Sequence, residues 1–233
     1  MKDIFKATST LGVVPLNKKK FNDFQLFKEE KPENVKLIKI KIWWGTPCQN
    51  EISLTIKPPT LLGIQCTYKN IQTEKEITSE PHCGKLLSND IIVKELNLQG
   101  KDYLNKFNIG FDYSNIYLIG FKTKKGVDMK FGNGISKKID VNNGDNLIQG
   151  FYGYYNDYGI NALGCKYINK KDYILLHLKE FFKLRHLIKV GDKEIMKKIK
   201  KDNLNKLNLS SKAFGMLCLL PESLFFHIIK YVI

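Results

Sequence analysis

The segments Asn115-Ile-Tyr-Leu-Ile-Gly-Phe-Lys-Thr123, Leu147-Ile-Gln-Gly-Phe-Tyr-Gly153 and Ile160-Asn-Ala-Leu-Gly-Cys-Lys-Tyr167 decide the fold class of this chain. Apolar residues alternate from Ile116 to Leu118 and onward, and glycines interrupt the runs at positions typical of turns. Short alternating runs that are broken by glycine are typical of antiparallel strands with one buried face. Nothing in these runs has the spacing of catalytic residues, so the sequence favours a binding module over an enzyme.

The same alternation runs through the first part of the chain. In Val35–Trp44 the isoleucines Ile38, Ile40 and Ile42 share one face, and the lysines mostly occupy the other. The stretch Leu62–Tyr68 repeats this pattern. Further strands are predicted at Ile52–Ile56, Ile91–Leu98, Phe107–Phe111 and Lys137–Val141. Many short strands with no helical pattern between them predict an all-β fold for this part.

Three segments between these strands have turn chemistry. Pro81-His-Cys-Gly84 is predicted to be a turn. Asn142-Asn-Gly-Asp145 is a strong hairpin signal, because asparagine and glycine tolerate positive φ. Asp112-Tyr-Ser-Asn115 is expected to join two paired strands.

The composition limits the classes of function. Of the 233 residues, 43% are hydrophobic and 12% aromatic, so the chain can bury a core. A formal charge of +15 ordinarily indicates nucleic acid or an anionic membrane as partner. Only Arg185 among the 38 basic residues is an arginine, however, and the lysines are spread along the whole chain. Specific DNA readers use arginine forks, so we favour solvated lysine faces and do not expect a nucleic-acid partner.

The five cysteines form no recognisable disulfide or metal pattern. They are Cys48, Cys66, Cys83, Cys165 and Cys218, which are widely separated and include no Cys-x-x-Cys pair. This spacing favours buried packing residues in a reducing compartment, and we expect neither a metal nor another cofactor. No signal peptide is evident and no apolar run reaches about 18 residues, so the expected location is the cytoplasm.

His82 and Cys83 are adjacent and raise the question of a catalytic pair. Neighbouring residues on a strand point to opposite faces, so the two cannot act as base and nucleophile unless a turn bends them together. The sequence identifies no third group that orients the histidine. We therefore interpret His82 as a turn residue and expect no enzymatic activity.

The order of these segments resembles that of the jacalin-related lectins, whose fold is a β-prism of three antiparallel four-stranded sheets. The resemblance extends from about Phe21 to Tyr167. The matching segments are Phe21-Asn-Asp-Phe24, Leu37–Ile42, Leu62–Tyr68, His82-Cys-Gly84, Asp102-Tyr-Leu104, Ile109-Gly110, Ile116–Thr123, Phe131-Gly132, Ile148–Gly153 and Ala162-Leu-Gly164. It is their order and spacing, and no single motif, that carries the resemblance.

The resemblance implies carbohydrate binding at one end of the prism, where these lectins combine a glycine-rich N-terminal loop with a late Gly-x-x-x-Asp loop. Backbone N–H groups and a carboxylate bind the hydroxyls of a sugar, and an aromatic ring stacks on its C–H face. In this chain the late loop runs from Gly153 to Asn161 and is one residue longer. Asn161 stands in place of the acceptor aspartate, and Asp157 in place of the glycine. Gly12 is the only glycine before Val35, so the glycine-rich loop is missing.

The late loop therefore has two interpretations. Its candidate ligand-binding residues are Tyr154, Tyr155, Asn156, Asp157, Tyr158 and Asn161. In the first interpretation they form a polar aromatic loop that stacks against a glycan or a protein. In the second, the tyrosines cover the end of the core. The sequence leaves both open.

After Tyr167 the periodicity becomes helical. We therefore expect a β-prism domain with an N-terminal extension over residues 1–167 and a small helical segment over residues 168–233. Helices are predicted at 173–188, 194–207 and 220–233.

The last predicted helix resembles the first helix of an F-box, which in that family docks on an adaptor subunit of a ubiquitin ligase. Its candidate partner-binding residues are Leu220, Pro221, Leu224 and Ile228. The alternative is an amphipathic helix that packs on the protein itself. Two functions follow: a non-enzymatic module that binds a carbohydrate or protein through loops of the prism, and an intracellular adaptor that recruits a partner through this helix.

Overall fold

The computed structural model describes residues 5–27, 34–47, 58–87, 90–98, 100, 102–112, 115–132, 137–141 and 146–169, all within the compact unit Met1–Lys170. The strands in chain order are β1 (Phe5–Ala7), β2 (Leu11–Gly12), β3 (Lys19–Asn22), β4 (Val35–Gly45), β5 (Thr60–Asn70), β6 (Glu76–Thr78), β7 (His82–Cys83), β8 (Ile92–Asn97), β9 (Leu104–Phe111), β10 (Ile116–Thr123), β11 (Asp128–Phe131), β12 (Lys137–Val141), β13 (Asn146–Asn156) and β14 (Gly159–Asn169). A 3-10 helix spans Asp23–Phe27. The expected mostly β fold is confirmed for this part of the chain.

The strands form three antiparallel sheets. The first has the order β1-β14-β13-β3, the second β11-β10-β9-β12 and the third β6-β5-β4-β8. Two further short strands share an edge position: β2 pairs with β14 beside β1, and β7 pairs with β5 beside β6. Three antiparallel sheets form as predicted, but the first and third contain five strands instead of four, with two short strands sharing one edge in each.

The three sheets share one hydrophobic core. Phe107 and Phe121 of the second sheet stack with ring centroids 5.7 Å apart, and Phe151 of the first sheet meets both rings edge-on at 5.5 and 5.8 Å. Ile64 and Tyr68 of the third sheet belong to the same buried cluster. Burying each such side chain stabilises the fold by about 1.5–3 kcal/mol, so sheet packing depends on these aromatic contacts.

A β-bulge in β4 changes which side chains face the core. The pairing with β5 shifts register between Leu37 and Lys39, which makes Ile38 the extra residue. Leu37 is therefore buried with Ile40 and Ile42, whereas Ile38 is only half-buried. The single isoleucine face that the alternation predicts is correct for Ile40 and Ile42 and wrong for Ile38.

Two of the predicted turns are corrected by the sheet topology. His82 and Cys83 form β7 and pair with Gly63–Ile64 of β5, so Pro81–Gly84 is not a simple turn. The segment 142–145 lies outside the described residues, but β12 pairs with β9 whereas β13 pairs with β14 and β3. The two flanking strands lie in different sheets, so they do not form the predicted hairpin. The predicted β9–β10 hairpin is confirmed.

Several predicted elements fall outside the described residues. These are the strand Ile52–Ile56 and the helices after residue 169, including the F-box-like segment with Leu220, Pro221, Leu224 and Ile228. They stay predictions, as does the boundary between residues 167 and 168. Within the described ranges, no helix has the length and apolar character needed to cross a membrane.

Candidate binding site

The predicted site residues lie on and beside the hairpin that joins β13 to β14. Pairing continues as far as Asn156 opposite Gly159, so only Asp157 and Tyr158 form the turn. The Asn156 Oδ1 accepts a hydrogen bond of 2.9 Å from the Tyr158 backbone N–H. Gly159 has a φ of +135°, and a Cβ there would lie 2.6 Å from the Leu61 carbonyl oxygen. The predicted long loop is therefore a tight turn that requires glycine at its end.

An N-terminal segment lies at the same end of the sheet as this turn. Residues 13–18 connect β2 on one side of the hairpin to β3 on the other. The Val13 backbone N–H donates to the Asn161 carbonyl oxygen at 3.2 Å, and Lys19 pairs opposite Tyr155. An N-terminal loop and the late turn thus lie together, although the N-terminal loop contains no glycine.

The segment after β7 holds the turn from another side. The Lys85 backbone N–H donates to the Asp157 carbonyl oxygen at 2.8 Å, and the Lys85 ammonium lies 2.9 Å from the Asp157 Oδ2. The hydrogen bond and the charge of Lys85 lower the pKa of the Asp157 carboxyl, so it is ionised at neutral pH. We call the turn Asp157–Tyr158, together with residues 13–18 and 84–87, the hairpin end.

The two neighbouring tyrosines of β13 have different environments. Tyr155 packs inward, with its ring 6.2 Å from that of Phe21 in an edge-on arrangement and 6.0 Å from that of His82. Tyr154 is half-buried, and the Lys18 Nζ lies 5.3 Å from the centre of its ring. Tyr155 therefore packs against the core, as the second interpretation expects, whereas Tyr154 borders the surface. Stacking of these rings on a ligand stays a prediction.

Asn161 is separated from the other predicted site residues by burial. It lies within β14 and is only 3% exposed. Among the other five candidates Asp157 is exposed, and Tyr154, Tyr155, Asn156 and Tyr158 are half-buried. The accessible carboxylate of the hairpin end is therefore that of Asp157, at the turn, and Asn161 does not share its surface.

A buried polar cluster beside the hairpin end was missed by the sequence analysis. The His82 Nε2 lies 2.8 Å from the Asp23 Oδ1, and the Tyr68 hydroxyl donates to the Asp23 Oδ2 at 2.6 Å. The Phe21 ring stacks on the His82 ring at 4.2 Å. Asp23 is thus the group that orients His82. Because His82 belongs to the paired strand β7, the interpretation of His82 as a turn residue is wrong. The resemblance included Phe21-Asn-Asp-Phe24, but nothing in the sequence connects this segment to His82.

The cysteines near this cluster are held in the thiol form by burial. Burial raises the pKa of the Cys66 thiol well above its usual range and also raises that of the half-buried Cys83. Both thiols are protonated at neutral pH, and the thiolate is the reactive form. Within the described part of the chain, no three His, Cys, Asp or Glu side chains are arranged to hold a metal ion. The hydrogen bonds of Asp23 to Tyr68 and His82 join β5 and β7 to the 3-10 helix.

The sequence matches no protein-family model and no curated protein. The structure, however, resembles solved lectins over almost their whole length. A mannose binding jacalin related lectin from Ananas comosus matches with a TM-score of 0.50 and 14% identity, covering 71% of this chain and 98% of the lectin. Calystegia sepium agglutinin matches with a TM-score of 0.50 and 16% identity, covering 71% and 97%. Artocarpin, solved in complex with mannotriose, matches with a TM-score of 0.50 and 14% identity, covering 70% and 96%.

The class of the fold follows from these likenesses and from the sheet topology. Three antiparallel sheets around one core, matched over at least 96% of these lectins, form the β-prism of the jacalin-related lectins. The resemblance that the segment order indicates is therefore confirmed as a likeness of fold.

Proposed function

We propose that this protein is a non-enzymatic carbohydrate-binding module that takes its ligand at the hairpin end. The observation that carries the proposal is the position of the Asp157 carboxylate, which is exposed at the hairpin turn of a jacalin-related lectin fold. Tyr154 and Asn156 lie on the adjoining end of β13. Two of the solved lectins with this fold are described as mannose binding or were solved with mannotriose, which supports a sugar as the ligand class.

The chemistry of the turn suits a polyhydroxylated ligand. Asp157 offers an ionised acceptor for sugar hydroxyls, and hydrogen bonds to a charged group are about twice as strong as neutral ones. Its ion pair with Lys85 is exposed on both sides, at 60% for the lysine and 55% for the aspartate, so it contributes little net stability. A ligand hydroxyl can therefore share the carboxylate, and the Tyr154 ring offers a surface for stacking on a C–H face.

The opposite end of the prism provides matched controls. Lys36 lies at the start of β4, and its ammonium donates to the Gly100 carbonyl oxygen, so Gly100 lies at that end of the prism. Trp44 lies near the other end of β4 and pairs with Leu61. Gly159 lies close to the Leu61 carbonyl oxygen, so the hairpin turn is at this second end. Eight residues of strand separate these two points by about 25 Å. Tyr103, three residues after Gly100, lies under the Lys124 ammonium at 5.5 Å, much as Tyr154 lies under Lys18. Asp128 is exposed like Asp157 and begins β11, directly after a turn that lies at the Gly100 end because the Lys124 backbone N–H donates to the Tyr103 carbonyl oxygen at 3.0 Å.

The proposal predicts glycan binding that depends on the hairpin end. On a glycan array the full chain should bind a reproducible set of glycans, and Asp157→Ala or Tyr154→Ala should weaken that binding by about tenfold, the loss expected for one charged hydrogen bond or one stacking contact. Asp128→Ala and Tyr103→Ala should bind like the wild type. The proposal fails if no glycan binds reproducibly, or if all four variants behave alike.

A further inference from the structure

Exposed aliphatic side chains are concentrated at one end of the prism. Among the described residues, the large hydrophobic side chains that stay exposed are Val13, Val14, Leu16, Leu26, Leu86, Leu87, Ile92, Val93 and Val127. Five of these belong to the hairpin end, where Leu16 is fully exposed and Leu87 is 70% exposed. Ile92 and Val93 pair with Trp44 and Trp43 near the same end of β4. Single exposed apolar residues are ordinary, but a cluster on adjacent segments indicates an interaction surface.

Lysines flank these aliphatic residues on both segments. Lys18, Lys19 and Lys20 follow Leu16 and are all exposed, and Lys85 precedes Leu86 and Leu87. The only carboxylate of the hairpin end is that of Asp157, which the ammonium of Lys85 already neutralises in part. The surface therefore combines protruding aliphatic side chains with an excess of positive charge.

We propose that the hairpin end docks this protein peripherally on an anionic phospholipid bilayer. Leu16 and Leu87 enter the boundary between headgroups and acyl chains, where burial of aliphatic surface is favourable. The lysines remain at the level of the anionic headgroups, each contributing near the surface of the bilayer. Tyr154 lies beside them, and tyrosine is a residue that membrane interfaces favour. This function goes beyond carbohydrate binding, because it requires no sugar.

The residue types favour a bilayer over the other partners that an apolar surface can have. Lysine is depleted in protein–protein interfaces, and here four lysines lie among the aliphatic residues. The aliphatic side chains gain less from a carbohydrate than from a bilayer, because they neither hydrogen-bond to hydroxyls nor offer an aromatic face for stacking. An anionic bilayer accepts protruding leucines and mobile lysines together, so its chemistry complements both components of this surface.

The test is sedimentation of the full chain with vesicles that contain no glycolipid. The protein should sediment with vesicles of phosphatidylcholine and phosphatidylserine at low salt, and at least about tenfold less with phosphatidylcholine alone. High salt should release it, since the lysine contribution is screened. Equal binding to both vesicle types, or no binding to either, would overturn the proposal.

Paired variants separate the apolar from the charged contribution. Leu16→Ser with Leu87→Ser, and Lys18→Gln with Lys20→Gln, should each weaken sedimentation with phosphatidylserine vesicles by at least about tenfold. Val127→Ser with Lys124→Gln, at the opposite end, should sediment like the wild type. All these side chains are exposed, so unchanged thermal unfolding of each variant serves as the check on folding.

Further outcomes separate this inference from the carbohydrate proposal. If the leucine variant instead dissociates a dimer seen by analytical ultracentrifugation, the surface is a contact between copies and the proposal is wrong. Asp157→Ala removes a negative charge, so it should retain or strengthen vesicle binding while glycan binding falls. Glycan binding without vesicle binding therefore rejects only the membrane inference, and the reverse result rejects only the carbohydrate proposal.

Discussion

At the scale of single residues, the stability of the core depends on how the buried carboxylate of Asp23 is hydrogen-bonded. It is 2% exposed and accepts a hydrogen bond from Tyr68, with His82 at 2.8 Å on its other oxygen. A buried carboxylate that loses a donor keeps its desolvation cost without compensation. The cluster therefore stabilises the junction between the 3-10 helix and the third sheet, and Tyr68 contributes to it beyond its packing.

Tyr68→Phe should test this role of the hydroxyl. The change keeps the ring but removes the donor to Asp23, so the free energy of unfolding in urea should fall by about 1–3 kcal/mol. The matched control is Tyr117→Phe, because the Tyr117 hydroxyl is only half-buried and meets the Asn115 side-chain amide at 3.4 Å. It should cost less than about 0.5 kcal/mol. Equal losses of stability for the two variants would show that the Tyr68 hydroxyl does not stabilise the buried Asp23 carboxylate.

Thiol reactivity should follow burial. Burial raises the pKa of Cys165, which is fully buried, to about 12. Cys83 is only half-buried; burial raises the pKa of its thiol too, and the charge of Lys19 opposes that shift. The thiolate is the species that reacts with iodoacetamide, and it forms only as pH rises through the pKa. In the folded protein at pH 9, Cys83 should therefore be alkylated well before Cys165, as mapped by peptide mass spectrometry. In urea the two rates should converge; Cys165 reacting as fast as Cys83 in the folded state would contradict its burial.

At the scale of elements, alternating patterns predicted the strands well because one buried face imposes a period of two. They placed β4, β5, β9, β10 and β12 correctly. The bulge at Ile38 was not predictable, since isoleucine suits either face of a strand and only the pairing with β5 decides. Asn142–Asp145 has hairpin chemistry, but the sheet that each flanking strand joins depends on packing far away in sequence. The segments 13–18 and 84–87 could not be assigned to the site for the same reason.

The hairpin turn between β13 and β14 depends on glycine at position 159. Alanine there must adopt a φ near +135° and place its Cβ 2.6 Å from the Leu61 carbonyl oxygen. Gly159→Ala should therefore destabilise the protein by about 1–3 kcal/mol, measured by thermal unfolding. Gly100 is the control, with a φ of +61° and open space around it, so Gly100→Ala should cost about 1 kcal/mol at most. A milder effect at Gly159 than at Gly100 would show that the turn is not constrained as described.

At the scale of the whole molecule, the fold concentrates chemically distinct groups at one end. Three segments far apart in sequence bring together the Asp157 carboxylate, the Tyr154 ring, the surrounding lysines and the exposed leucines. The order of motifs allowed the fold to be predicted, because motif order follows strand order. It pointed to Asn161 as the acceptor, however, since a linear motif cannot show that this side chain is buried in β14.

The most direct test of carbohydrate binding at the hairpin end is to map the ligand contact on the protein. A glycan selected on the array is titrated into the isotope-labelled full chain, and backbone amide signals are followed by NMR. We expect the signals of residues 154–158 and of Lys85 to shift with ligand, and those of Tyr103 and Lys124 to stay unchanged. Shifts confined to the Tyr103 end of the prism, with the signals of residues 154–158 unchanged at saturation, would contradict carbohydrate binding at the hairpin end.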